Sequence, residues 1–218
     1  NSPYTPRAGL NKGLILYNKE RYIEAKTILE DIAIKYRRDP VAQQAVRTLR
    51  EIAVDQAEVS AFAQWVKTQN LNTFSDIELE KTAFTSAEKQ FLDGNTNTAE
   101  KLLKEYIETY PQGVFGNPAG FYLAEIYFEK ELSIEALPFY QAIVNQQVSS
   151  YTEKSLVRII TLLKKEGRQA ESITYLEKLD QIASFDENRR FAKLNLMQAY
   201  YASNEFEKTL ETANFVLE

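Results

Sequence analysis

The chain has 218 residues, 44% of them apolar, a formal net charge of −5, and neither histidine nor cysteine. That apolar share supplies a core, while the two missing residue types remove the commonest general base, the thiolate nucleophile and every ordinary zinc site. Six prolines and seven glycines leave few helix breakers, and no run of about 18 apolar residues offers a membrane-spanning helix.

In chain order, the predicted elements form six helical hairpins. A first helix begins near residue 6 and its partner near 21. Asp39-Pro40 joins a capping carboxylate to a proline at the first helical position, where the missing N–H costs nothing; a helix starts near 40 and its partner near 56. Ser75-x-x-Glu78 has the capping-box pattern and opens a helix near 76, with a partner near 96. After Tyr110-Pro111 a helix begins near 115, with its partner near 133. Ser150-x-x-Glu153 and Ser184-x-x-Glu187 repeat the capping pattern, placing starts near 151 and 185 and partners near 168 and 205. The expectation is twelve helices and essentially no strand.

These hairpins echo one another. A small residue recurs at Ala25, Ala61, Ala99, Ala136, Ser172 and Thr209, with gaps of 36, 38, 37, 36 and 37 residues. Four residues after it stand Leu29, Trp65, Leu103, Tyr140, Leu176 and Ala213, and nine before it Leu16, Ile52, Gln90, Tyr127, Leu163 and Tyr200. Gly94, Gly167 and Asn204 fall five residues before it, where a tight turn needs tolerance of unusual backbone angles. The period is too long for a heptad and fits one hairpin per copy. Because one hairpin cannot bury its own apolar face, the copies stack as a solenoid. The whole chain, 1–218, reads as a single all-α solenoid with repeats near 6–39, 40–70, 75–112, 115–148, 150–183 and 185–218. Thr68–Ser75, the least repetitive stretch, is its plausible joint. The chain starts inside a Ser-Pro-Tyr-Thr-Pro run without a methionine, so it reads as a fragment of a longer protein.

The runs Gly13-Leu-Ile-Leu-Tyr17 with Arg21-Tyr22-Ile-Glu24-Ala25, Leu123-Ala124-Glu-Ile-Tyr127 with Ile134-Glu135-Ala136, and Met197-Gln-Ala-Tyr200 with Asn204-Glu-Phe206 resemble the tetratricopeptide repeat. The match weakens in the second copy, where Gln56 and Glu58 replace the turn glycine and the aromatic. The period near 37 and the helix-ending Tyr110-Pro111 are similar to bacterial envelope members: the TolA-binding protein, outer-membrane assembly lipoproteins and long Bacteroides-type proteins. The resemblance implies a right-handed superhelix and a non-catalytic protein-interaction scaffold of the cell envelope, periplasmic or outer-membrane-associated. The family's carboxylate clamp does not match, since its positions hold Leu10, Leu14, Val46, Arg50, Val157 and Thr161. The register that the family turns to its concave groove holds Tyr17, Ala53, Phe91, Phe128, Lys164 and Tyr201.

Within the third and fourth copies, Phe84, Glu88 and Phe91 recur 37 residues on as Phe121, Glu125 and Phe128. Spacings of four and three set each trio on one helix face. With Tyr17 and Tyr201 they are the candidate partner-binding residues, suited to an apolar or aromatic peptide carrying Lys or Arg. The rival reading makes Phe84 and Phe121 interhelical core.

Charge varies by segment: +5 over residues 1–50, −9 over 51–150 and −1 over 151–218. The basic end could mark a nucleic-acid patch, but the acidic middle repels phosphate and argues against it. No glycine-rich phosphate loop is present. Carboxylate pairs stay open among 31 acidic residues, yet on a repetitive helical surface such residues read as a solvated face. The expectation is therefore a protein or peptide partner, with no catalytic residue, metal or cofactor, and with self-association through the solenoid ends left open. The alternatives are a domain that positions a larger enzyme, or a cytosolic regulator that binds nucleic acid through the basic end.

Overall fold

The structure, a computed structural model, describes residues 5–71 and 73–217, with side chains described as far as Asn214. Most of the Ser-Pro-Tyr-Thr-Pro run, Asn72 of the expected joint and the final Glu218 lie outside the described residues. Twelve helices follow one another: α1 Thr5–Asn18, α2 Tyr22–Lys35, α3 Pro40–Asp55, α4 Val59–Thr68, α5 Asp76–Leu92, α6 Thr96–Thr109, α7 Gly116–Glu129, α8 Ser133–Val144, α9 Thr152–Lys165, α10 Gln169–Ile182, α11 Asp186–Ala202 and α12 Phe206–Leu217. Among the described residues there is no strand, and consecutive odd and even helices form six hairpins. The chain divides into two compact units, Asn1–Ala119 and Gly120–Glu218. The division falls inside α7, and residues 68–75 lie within the first unit.

One turn closes every hairpin. Glu20, Ala57, Gly94, Glu131, Gly167 and Asn204 each adopt a left-handed backbone, with φ between 57° and 77°. The next N–H reaches five residues back, as in Arg21 N to Leu16 O at 2.9 Å, Glu58 N to Ala53 O at 2.8 Å and Glu205 N to Tyr200 O at 2.8 Å. These bonds satisfy carbonyls that the helix end would otherwise leave orphaned. Four of the six sites carry a Cβ; asparagine tolerates the conformation at Asn204, whereas at Glu20, Ala57 and Glu131 the turn is imposed by hairpin packing and not by local preference.

The second copy departs from the predicted register. Ala61 is exposed, and the buried anchor is Phe62, followed by Val66 instead of Trp65. The carbonyl that closes the turn is Ala53 O, where the other copies use Leu16, Gln90, Tyr127, Leu163 and Tyr200, so the position nine before the anchor is Ala53 and not Ile52. The whole second copy is displaced by one residue from the predicted register, α3 included, and carries no insertion. With Phe62 in place, the anchors lie 37, 37, 37, 36 and 37 apart. Ala25, Ala99 and Ala136 are wholly buried, as close crossing of two helices requires.

The caps follow the predicted chemistry in two cases and reassign it in two. Asp39 accepts from Val41 N at 2.9 Å with Pro40 behind it, and Ser75 and Glu78 form the reciprocal box. Ser150 and Ser184 cap nothing locally. Tyr151 and Phe185 hold the N-cap positions of α9 and α11 without a side-chain bond. The Glu153 carboxylate on α9 instead accepts from Ser184 Oγ at 2.6 Å, Ser184 N at 3.2 Å and Asn188 Nδ2 at 2.7 Å. With the N-cap Phe185 N also donating to it at 3.4 Å, it takes from α9 the part that a local capping-box glutamate would play at α11.

Candidate functional site

In the first unit, Asp55 near the end of α3 joins three helices. Tyr17 Oη on α1 donates to its Oδ2 at 3.0 Å, and Lys89 Nζ on α5 donates to its Oδ1 at 2.5 Å. Burial, then the hydrogen bond to this carboxylate, pushes the Tyr17 phenol up to about 12. The same bond raises Lys89. Tyr17 is therefore half-buried and engaged inside the fold.

Phe84 is buried. Its ring stacks on Phe115 with centroids 4.8 Å apart and planes 5° from parallel, and meets the edge of Tyr106 at 5.9 Å. Tyr106 Oη donates to the buried Glu80 at 2.7 Å and accepts from Phe115 N at 3.0 Å. Burial and the bond to Glu80 raise this phenol. Glu88 and Phe91, one and two turns further along α5, are half-buried.

In the second unit, Phe121 is also buried, against Tyr151 at 4.9 Å and Tyr140 at 6.2 Å. Glu125, one turn on, is buried too and fully occupied. It accepts from Tyr140 Oη at 2.6 Å and from Arg158 Nε and Nη2 at 2.9 and 3.0 Å, and it pairs with Lys154 Nζ at 2.7 Å. Burial works upward on this carboxyl, but the bonds from Arg158 and Lys154 outweigh it and hold the group below its ordinary value. The Arg158 guanidinium also lies 4.0 Å above the Phe128 ring, a favourable cation–π distance.

The predicted trios are thus divided along their length. Phe84, Phe121 and Glu125 are consumed within the fold, because each lies on the side of its helix that meets a neighbour. Phe91 and Phe128, at the C-terminal end of each trio, keep part of their surface in solvent. Within the second unit, Phe128 on α7, Lys164 on α9 and Tyr201 on α11 occupy one register. Lys164 Nζ donates to Asn195 Oδ1 at 2.9 Å and Gln198 Oε1 at 3.3 Å, and Tyr201 is 65% exposed beside Phe206, rings 5.9 Å apart.

Sequence reasoning missed Arg158, Lys154, Asp55 and Lys89. A signal for them existed. Opposite charges placed 32 to 34 residues apart, one period less about one helical turn, meet across neighbouring hairpins: Lys26–Glu58, Asp55–Lys89, Glu125–Arg158 and Glu131–Lys165. Among the described residues no group of three or more acidic side chains gathers in a geometry that could hold a metal ion.

No family model matches this chain, and no curated protein matches it. Several solved structures are similar to it. PilF of Pseudomonas aeruginosa is 14% identical, with 95% of this chain and 88% of that one covered and a TM-score of 0.47. MamA of AMB-1 is 16% identical, covering 83% and 93%, with a TM-score of 0.45. A tetratricopeptide repeat protein from Parabacteroides merdae is 14% identical, covering 97% and 78%, with a TM-score of 0.40.

Proposed function

We propose that the chain is a tetratricopeptide-type scaffold that binds a protein or peptide segment without catalysis, in a bacterial cell-envelope assembly. The observation that carries the reading is the aromatic side chain left partly in solvent at the same register within each unit. In the first unit Phe91 is half-exposed; in the second Phe128 is half-exposed and Tyr201 exposed, while their buried neighbours fix the helices that present them. Rings held this way offer apolar area to a ligand at little further cost in side-chain entropy. Glu125 already answers two cations and is not open to a basic residue of a ligand.

The envelope placement draws on the sequence resemblance: the period near 37 and the Tyr110-Pro111 helix ending. It is compatible with the fact that, among the described residues, no helix is long and apolar enough to cross a membrane.

The test is a Phe91→Ala/Phe128→Ala variant that retains parental helicity by circular dichroism. Its capture of partners from a cell-envelope extract is compared with that of the parent. Loss of specific partners supports the reading; unchanged capture by the folded variant removes these two rings from consideration. Immunodetection of the native protein in cytosolic fractions alone would overturn the envelope placement.

A further inference from the structure

The first and last hairpins expose the registers on which hairpins pack elsewhere. In the second unit, one side of α9 buries Ser155, Ile159 and Leu162, and the same side of α11 buries Ala192, Leu196 and Ala199. The matching positions of α1 are Ala8, Lys12 and Ile15, and all three stand in solvent, Ile15 at 55% exposure. Arg7 and Lys19 extend this stripe, and none of its three cations makes an ion pair among the described residues.

A different face is open in the last hairpin of the second unit. On α10, Glu177 accepts from Tyr200 Oη of α11 at 2.7 Å and Asp180 pairs with Lys193 of α11 at 2.8 Å, so that side of α10 is covered. Its counterpart on α12 is uncovered among the described residues: Leu210 is 67% exposed and Phe206 55%, adjoining Tyr201. Glu207 and Glu211 flank them and make no ion pair among the described residues.

We propose that the chain associates with further copies of itself head to tail, the α1 stripe of one copy seating on the α11–α12 face of the next. Ile15 and Ala8 meet Leu210, Tyr201 and Phe206, while Arg7, Lys12 and Lys19 meet Glu207 and Glu211. Both registers already serve hairpin-on-hairpin packing within a unit, so the contact extends an arrangement the fold uses repeatedly. The two faces differ, which makes the interface heterologous: copies add in an open row or close into a ring.

The experiment is sedimentation velocity on the full chain over a concentration series at low and high salt. Average mass rises with concentration and falls with salt, because exposed charge pairs are screened. Lys12→Glu and Leu210→Asp, each with helicity checked by circular dichroism, are monomeric alone. Mixed in equal amounts, they form a one-to-one complex and nothing larger, since each retains the face the other has lost. If Leu210→Asp loses helicity, Glu207→Lys/Glu211→Lys takes its place. A parent chain that stays monomeric throughout, variants that still assemble alone, or variants that fail to pair when mixed would each overturn the proposal.

Discussion

Glu153 on α9 accepts a hydrogen bond from the hydroxyl of Ser184, 31 residues away, at 2.6 Å. With Ser184 N and the Asn188 side chain also donating to it, this carboxylate caps α11 from another helix. Glu153→Ala is expected to lower stability by about 1 kcal/mol, the usual worth of an N-cap, and Ser184→Ala by less, because the backbone donor remains. Denaturant midpoints of the two variants and the parent check the order.

Two carboxyls should govern behaviour in acid. Glu125 sits below its ordinary value because Arg158 and Lys154 outweigh its burial, and Glu153 because Ser184 and Asn188 outweigh the same upward push. A folded-state value below the unfolded one contributes stability that is complete above the ordinary carboxylate range and is lost as pH falls through the lowered folded values. Melting temperature measured against pH should fall on the acid side, and Glu125→Gln should make that fall shallower.

Removing the cation while leaving the buried carboxylate is costlier. Arg158→Met strips Glu125 of its bidentate partner and uncovers the Phe128 ring. The expected loss is about 3 kcal/mol, in line with breaking one side of a buried pair, and a urea titration measures it. A loss within that of an exposed substitution would mean that Lys154 and Tyr140 suffice.

The backbone turns give a prediction of opposite sign at equivalent sites. Ala57 and Glu131 hold left-handed conformations that disfavour a Cβ, so Ala57→Gly and Glu131→Gly should each raise stability by up to about 1 kcal/mol. Gly94 has open space around its Cα. Gly94→Ala should therefore lose about 1 kcal/mol from conformation alone, visible as a shift in thermal midpoint.

Gly113 is required for a different reason. A Cβ there would lie 2.6 Å from Glu80 Oε1 and collide with Tyr106 Oη, breaking the pair that supports Phe84 and Phe115. Gly113→Ala is expected to cost on the order of 1–3 kcal/mol and to expose Tyr106, which solvent-perturbation absorbance of the tyrosines would report.

What the sequence disclosed follows from how local each determinant is. Helix starts came within three residues of the observed ones because caps, prolines and 3.6-residue periodicity act within a turn or two. The Ser-x-x-Glu pattern was closed by its own residues only at Ser75; Glu153 and Ser184 exchanged partners across hairpins, which no local pattern records. Phe84, Glu88 and Phe91 do share a helix face, but a face is broad. Whether its middle meets solvent or a guanidinium 33 residues away, as Glu125 does, is decided by the neighbouring helix. The small-residue echo places the second anchor at Ala61, one short of Phe62, because it follows side-chain size and the second copy fills the anchor place with a phenylalanine.

Each bend is also a fixed measure of chain. Inserting one residue in a helix turns everything beyond it by about 100°, enough to send an apolar stripe into water. In all six copies the left-handed residue lies five positions before the anchor and the carbonyl that closes the turn nine before it, Ala57 and Ala53 before Phe62 included. The one short interval, 36 residues from Ala136 to Ser172 where the others are 37, falls ahead of that span, between the anchor of one hairpin and the closing turn of the next. The bend works as a hinge pin of constant length, and a change in chain length passes to the stretch between hairpins.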